Sequence, residues 1–470
     1  MEPRMQPDFT AAEADFPRSP SKAEDLGIPI ALVEDLILRR LLLERVSSVH
    51  GLSAALGLQA GIVQNLSDSL RDRHLLEYQG MDGRDYRIGL TEQGSRLANE
   101  RMQTSTYASF APVGLAEYTR VVWSQKADVL IDRETIRTAF GDLVVADEML
   151  DQLGPAFMND GAIFLYGPPG TGKTSLAERM ARIYHDKILV PRVVEADGQI
   201  ISVMDPSIHK IAAEQPPGLD PRWVLCERPI VIVGGELTMT MLDLDFDPTS
   251  KIYSAPIQMQ ANNGILVVDD FGRQLMTPAE LLNRWIVPLS RSIDFLKLSN
   301  GTKFTVPFEL KLVASTNLDP HELGDDAFLR RLKNKVFVGP ITENAFNWIL
   351  VRAAQAHGIE VTADAAQHLR NVAVKNIGEL RPYVAIDFLE MMKGIAAYEG
   401  LPRQLDRAMI DRVAQVYFFS EDSGAATPAV APSDTSPAAQ PPAAQHVPTP
   451  APTAQAPATP APRPVALPTQ

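Results

Sequence analysis

Apolar positions change their spacing several times along the chain, and each change marks a new kind of element. Over residues 28–102 helical spacing dominates. Leu32, Leu36, Leu38, Leu41 and Leu42 recur on one face, and Ile62, Leu66, Leu70 and Leu75 do so again further on. The pattern predicts a first helix over these leucines, a short one over 48–56 that stops near Gly57, and a third over 59–75. The period then falls to two around 76–79 and 86–90, on either side of Met81-Asp82-Gly83-Arg84, which predicts a hairpin. Thr91 is placed to N-cap a closing helix. This order resembles that of a winged helix-turn-helix over residues 28–103. Residues 104–130 read as an irregular connector whose aromatics, among them Tyr107, Phe110, Tyr118 and Trp123, predict packing against a domain.

From 131 to 340 short apolar runs alternate with helical patterns, which predicts a parallel α/β sheet. The strand candidates are 162–166, 188–195, 265–269, 310–316 and 335–338, with 229–233 a further one. Asn300-Gly301 separates 293–298 from 303–308 and predicts a β-hairpin. Residues 341–420 read as a helical lid: helices over 342–357 and 362–374, one from Leu380 and one over 403–418, with breaks at Gly358, Gly378 and Gly400. Residues 1–27 lack periodicity and are expected to form a flexible arm. Residues 421–470 are an Ala/Pro-rich stretch in which, from Gly424 on, only Asp434 and Arg463 are charged; they predict a disordered tail.

Composition narrows the partners. The 470 residues carry a formal charge of −14, against the Lys/Arg excess that non-specific nucleic-acid binding needs. Residues 28–102 set nine arginines and no lysine against ten acids. That balance favours a protein-docking module, with DNA reading as the alternative. The lone Cys226 excludes an intramolecular disulfide and a cysteine-based zinc site. His185, His209 and His321 lack metal-ligand spacing. No apolar run approaches the ~20 residues that span a bilayer, and the N-terminus has no secretory h-region. The expectation is a cytoplasmic protein without membrane insertion.

The candidate chemistry begins at Gly167-Pro168-Pro169-Gly170-Thr171-Gly172-Lys173-Thr174, followed by Ser175. An apolar run precedes it and a helical pattern follows, which is the context a phosphate-binding P-loop (Walker A) requires. The glycines leave room for backbone N–H groups to meet phosphate oxygens. Lys173 is expected to reach the β- and γ-phosphates, and the Thr174 hydroxyl to bind Mg²⁺. The run from Gly264 to Val268 ends in Asp269 and Asp270, so two carboxylates meet the ligand crevice of such a sheet. Asp269 is expected to hold the Mg²⁺ shell and Asp270 to orient the attacking water. Asn317 ends the next buried run and is a candidate to hold that water or the γ-phosphate. Thr316 is its weaker substitute. Arg330 and Arg331 precede the last strand, where in an oligomer an arginine can reach a neighbour's γ-phosphate. Arg381 opens a lid helix and can contact phosphate from the same subunit.

Taken together, residues 131–420 resemble an AAA+ ATPase. The resemblance implies an αβα core with a helical lid, ATP and Mg²⁺ as ligands, hydrolysis of ATP to ADP and phosphate, and assembly into a ring, expected to be a hexamer. It implies that Asp269 and Asp270 are the second acidic motif (Walker B) and Asn317 the first sensor. Arg330 or Arg331 is then the finger donated in trans, Arg381 is the second sensor, and Leu143 and Val144 pack near adenine. The hairpin at Asn300 is similar to that of the pre-sensor-hairpin branches, which include MoxR-like, magnesium-chelatase and enhancer-binding proteins. The chain departs from the family in three ways. Asp270 stands where Glu is usual, so hydrolysis is expected to be slower or differently arranged. Residues 197–204, taken as following the second strand, lack the aromatic loop of polypeptide-threading members. Residues 206–261 form a long link. The expected function is remodelling of a protein client by an oligomeric ATPase. A DNA-associated motor and a slow-hydrolysing, ATP-gated switch are the alternatives.

Overall fold

The computed structural model describes residues 16–83, 85–127, 131–159, 161–319 and 333–418. The sequence expectations for residues 1–15, for Arg330 and Arg331, for His321 and for the tail 421–470 lie outside the described residues.

Parallel strands form the centre of the nucleotide-binding region. They are β1 (Ile163–Tyr166), β2 (Ile230–Val233), β3 (Ile265–Val268), β4 (Lys311–Thr316) and β5 (Asn334–Phe337), in the sheet order β2-β3-β4-β1-β5. Alternation along each strand builds two cores. Ile163, Leu165, Ile265, Val267, Val313 and Val336 bury on one face against Ile136, Phe157 and Leu176. Phe164, Leu266, Val268, Leu312 and Ala314 bury on the other against Phe271, Leu281 and Trp285. Burial on both faces explains why these strands read as continuous apolar runs rather than alternating ones. The fold is an α/β P-loop NTPase fold.

The run 188–195, expected to join this sheet, does not. It divides at Arg192. Lys187–Pro191 pairs antiparallel with Trp223–Glu227. Val193–Ala196 enters a second sheet between Val113–Gly114 and Gln199–Ser202. The edge place beside β3 belongs instead to β2. The physical reason is a separate apolar cluster that takes up Ile188, Val190, Val194, Ile201, Trp223 and Val224, together with Leu296 and Val306 of the hairpin Ile293–Lys297/Lys303–Pro307. The hairpin is therefore packed into this accessory unit. Tyr253 and Ser299 exchange a hydroxyl hydrogen bond at its tip.

The connector is likewise more ordered than expected. Leu115–Ser124 is a helix that buries Tyr118, Val121 and Val122, residues at helical spacing. The N-terminal segment contains helices Ile30–Glu44, Val49–Leu56, Ala60–Asp72 and Glu92–Thr104 around an antiparallel three-stranded sheet. Ser48 and Thr91 accept the N-capping bonds, and Gly57 ends the second helix at φ +65°. The segment is seated on the accessory unit. The Ala111 amide donates to Leu56 O at 2.8 Å, the Arg192 guanidinium lies 4.1 Å from the Phe110 ring centroid, and a Cβ on Gly57 would meet Phe110 at 2.7 Å. Beneath it, Arg222 and Asp220 form a fully buried pair at 2.7 Å, and Arg222 also donates to Pro112 O at 3.2 Å. His209 is buried with Nε2 2.9 Å from Gln260 O, and its other ring nitrogen accepts the Asp205 amide at 3.0 Å.

The C-terminal segment is an all-helical unit: Glu343–His357, Ala363–Ile377, Pro382–Glu399 and Arg407–Tyr417, the first two capped by Thr342 and Thr362. Gly358, Gly378 and Gly400 all take left-handed conformations at helix ends, as the sequence predicts. No helix among the described residues is long and apolar enough to cross a membrane.

A buried pair of asparagines joins these parts. Asn262 Nδ2 donates to Tyr118 Oη at 2.8 Å and to Pro307 O at 3.0 Å, while its Oδ1 accepts the Glu309 amide at 2.9 Å. Asn263 Nδ2 donates to Val122 O at 2.9 Å, and Gln125 binds both the amide and the carbonyl of Leu189. Connector helix, accessory strand, β3 and the end of the hairpin thus meet at one amide cluster. Leaving a buried polar group without its partner costs about 1–3 kcal/mol. Asn262→Ala is expected to lower stability to chemical denaturation by about 2–3 kcal/mol, and Tyr118→Phe by about 1 kcal/mol. An Asn262→Ala loss no larger than that of Tyr118→Phe would show that the amide does not hold these segments together.

Candidate functional site

The loop after β1 is built on glycine. Gly167 has φ +145°, and a Cβ there would lie 2.2 Å from Val338 O. Gly170 has φ +75°, and a Cβ there would lie 2.2 Å from the Tyr383 ring of the lid. Both positions therefore exclude a side chain on backbone and steric grounds. Thr171 Oγ1 donates to Pro168 O at 3.0 Å and tightens the turn. Lys173 is 6% exposed and donates from Nζ to Gly167 O at 3.0 Å and Pro168 O at 2.7 Å. Burial pushes the Lys173 pKa down, Asp269 and Asp270 oppose this, and Arg381 adds to it.

The carboxylates arrive from the end of β3. Asp269 Oδ2 accepts the Thr174 hydroxyl at 2.8 Å, and Oδ1 accepts the Ser315 hydroxyl. Asp270 sits at φ +48°, a left-handed conformation that aspartate tolerates better than most residues. Its Oδ1 accepts from Asn317 Nδ2 at 2.9 Å. Gln274 holds the turn, donating to Asp269 O at 3.0 Å and Asp270 O at 3.1 Å. From the lid, Arg381 Nη1 donates to Pro169 O at 3.1 Å. The structure thus brings Lys173, Thr174, Asp269, Asp270, Asn317 and Arg381 to the edge of the sheet where β1, β3 and β4 end.

The remaining candidates fall as follows. Thr316 is turned away from this group, donating to Phe271 O at 2.7 Å and accepting the Leu318 amide. Leu143 packs in the same cluster as Leu176 and Ala177 of the helix Lys173–Arg179, while Val144 and Ser175 are half-buried. The preceding Asp142 pairs with Arg179 at 3.2 Å and with Arg182 at 2.8 Å. Ser315 is the residue that sequence reasoning missed. The register of β3 on β4, with Val268 opposite Ala314, carries Ser315 to Asp269. The signal was present as a second hydroxyl, beside Thr316, at the end of the buried stretch of β4.

The Thr174 hydroxyl and the Asp269 carboxylate are hard oxygen donors set side by side, the type that Mg²⁺ takes while keeping waters and substrate phosphates. Above them stands a buried ammonium at a glycine loop, which suits a polyphosphate. Fold and loop together define a P-loop NTPase. Residues 163–218 match the profile of the ATPase family associated with various cellular activities (AAA). The matched stretch begins at β1 and takes in the phosphate-binding loop. Residues 342–416 match a domain of unknown function (DUF8689), which spans the C-terminal helices.

Solved structures with similar stretches include the Thermotoga maritima RuvB Holliday junction branch migration motor, 15% identical. That match covers 62% of this chain and 72% of that one, with a TM-score of 0.32. Brucella abortus NtrX is 11% identical over 67% of this chain and 59% of its own, with a TM-score of 0.36. No curated protein matches the sequence.

Ser315→Ala removes one of the two hydroxyls that fix Asp269. Losing such a supporting group typically weakens metal affinity by about 10–100-fold. The expected outcome is a shift of about tenfold or more in the Mg²⁺ midpoint of nucleotide binding. An unchanged midpoint in a magnesium titration would remove Ser315 from the site.

Proposed function

We propose that this chain is a Mg²⁺-dependent ATPase of the AAA+ type, of the pre-sensor-hairpin kind loosely like MoxR and magnesium-chelatase proteins. On this reading it assembles into a ring of six and spends ATP hydrolysis on remodelling a protein client. The observation that carries the reading is the convergence of Lys173, Thr174, Asp269, Asp270 and Asn317 at the ends of β1, β3 and β4, with Arg381 reaching in from the lid.

Bound Mg·ATP supplies a phosphoanhydride whose terminal phosphoryl group passes to water. Lys173 and the loop amides hold the phosphates, and Thr174 and Asp269 hold the metal with Ser315 fixing the carboxylate. Asp270 orients the water, and Asn317 orients Asp270. On this reading Leu143 and Val144 contribute contacts to adenine. Arg330 or Arg331 of a neighbouring copy supplies charge to the site in trans, and Arg381 supplies it in cis.

The N-terminal segment is a winged-helix module on this reading, and a docking role for protein is favoured over DNA. Helix-turn-helix readers insert the N-terminal end of the recognition helix into the groove. The corresponding helix here is Ala60–Asp72. At its start, the Gln59 side chain donates to Ser19 O at 2.8 Å, and the space at Gly57 is bounded by Phe110 and Pro221. On its outer face Gln64 and Asp68 are both bonded to Tyr78 Oη, at 2.9 Å and 2.8 Å.

Residues 197–204 do not follow a strand of the central sheet, so their lack of an aromatic loop does not weigh against polypeptide threading. Those residues turn within the accessory sheet, and the loop after β2 begins at Gly234. That loop carries exposed Met239, followed by exposed Phe246.

Two outcomes test the proposal. Lys173→Ala is expected to abolish nucleotide binding, whereas replacing by Ala whichever of Arg330 and Arg331 supplies the finger retains binding and lowers turnover at the neighbouring copy's site by about 10³-fold or more. Absence of ATP turnover by the purified full chain under conditions that support oligomers would refute it. The slow-switch alternative turns on Asp270. Because Asn317 and φ +48° suit an aspartate, Asp270→Glu is expected to lower steady-state turnover; a large gain would favour the switch. Tight, salt-sensitive gel shifts with the full chain would reverse the preference for a protein partner.

A further inference from the structure

The lid meets the phosphate-binding loop through Arg381, and this arginine already has an anionic partner. Its Nε and Nη2 both reach Glu379 Oε1 at 2.7 Å, while Nη1 is on Pro169 O at 3.1 Å. The pair is largely shielded, with the Arg381 side chain 16% and the Glu379 side chain 28% exposed. Neither residue can drift far. Glu379 follows Gly378, whose φ of +88° ends the helix Ala363–Ile377. Leu380, between the two charges, is buried in the lid core and its carbonyl accepts the Ile341 amide at 3.0 Å. Pro382 then fixes the start of the next helix, with Arg381 as its N-cap residue. The backbone thus presents a carboxylate to the guanidinium that faces the loop.

Guanidinium binds carboxylate and phosphate with the same fork of donors. A nucleotide's outermost phosphate, held beside Lys173, is therefore a competitor for the donors that Glu379 now occupies. We propose that Glu379 is a positioning residue: it holds Arg381 until a triphosphate displaces it, so that engagement of the lid requires exchange of carboxylate for phosphate. The proposal rests on the reading of the site as ATP-binding. It assigns Glu379 a role in nucleotide discrimination. A diphosphate, one phosphate shorter, leaves the pair intact, whereas a triphosphate must break it. Glu379 thereby weakens ATP binding relative to ADP and delays lid engagement until the triphosphate is present.

The experiment measures equilibrium binding of a fluorescent non-hydrolysable ATP analogue and of fluorescent ADP, with Mg²⁺, to the full chain. The variants are Glu379→Gln, Arg381→Ala and the double variant. Partly exposed ion pairs contribute up to about 1 kcal/mol, so Glu379→Gln is expected to tighten the triphosphate roughly two- to fivefold and to leave the diphosphate unchanged. The gain is expected to vanish in the Arg381→Ala background, because the coupling runs through that side chain. Equal tightening of both nucleotides, weaker triphosphate binding, or the same gain without Arg381 would each overturn the role of Glu379 while leaving the ATP site intact. A wild-type chain that binds neither nucleotide would overturn the site and this proposal with it. Should Glu379→Gln lower the melting temperature, Glu379→Asp keeps the charge one methylene further back; it is expected to discriminate between the nucleotides to an intermediate degree, and discrimination equal to that of Glu379→Gln would overturn the proposal.

Discussion

The Asp269 carboxylate, clamped between the hydroxyls of Thr174 and Ser315, is the contact on which the site depends. It ties together three pieces of chain that are far apart in sequence: the loop after β1, the end of β3 and the end of β4. A parallel sheet makes this possible, because all its strands deliver their C-terminal ends to one edge. The order β3-β4-β1 then sets the acidic turn and Asn317 beside the loop. The negative charge at that edge has a counterweight in the buried Lys173, on which both carboxylates act electrostatically. Remove the sheet order and the same residues would not meet at one edge.

Much of this was legible in the sequence, and for a physical reason. Gly167, Gly170 and Lys173 are chemically specified within a few residues, and Asp269, Asp270 and Asn317 each end a buried run, so strand polarity places them. What the sequence withheld was pairing. The runs 188–195 and 230–233 are both short and apolar, and nothing local tells which one joins the central sheet. Only the competing cluster around Trp223 and Val194 decides it. Ser315 was overlooked for a related reason, since its importance lies in a neighbour reached through β3–β4 register. The connector helix Leu115–Ser124 was legible in principle: its spacing is helical, but its aromatics drew attention to packing instead.

The accessory unit changes how the rest is joined. The insertion between the phosphate loop and β2 receives the N-terminal segment on one side and the hairpin that precedes β4 on the other. The buried Asp220–Arg222 pair and the Arg192–Phe110 contact lie along that path. A buried ion pair is weak ground for stability, but removing one partner strands an uncompensated charge, so Asp220 and Arg222 depend on each other.

The asparagine cluster has a consequence for how such a chain can be rearranged. Asn262 and Asn263 stand where β3 begins, and Glu309 stands where β4 begins; about 20 Å further along, at roughly 3.3 Å per residue, the same strands carry Asp269 and Ser315. The helix that leads in from the N-terminal segment is bonded at that starting point. The chain therefore reads as beads along its length but is not built as beads. A foreign domain spliced in place of the N-terminal segment inherits an obligation to the connector helix, and a swap that ignores Tyr118 and Val122 disturbs the footing of the strands that hold the carboxylates.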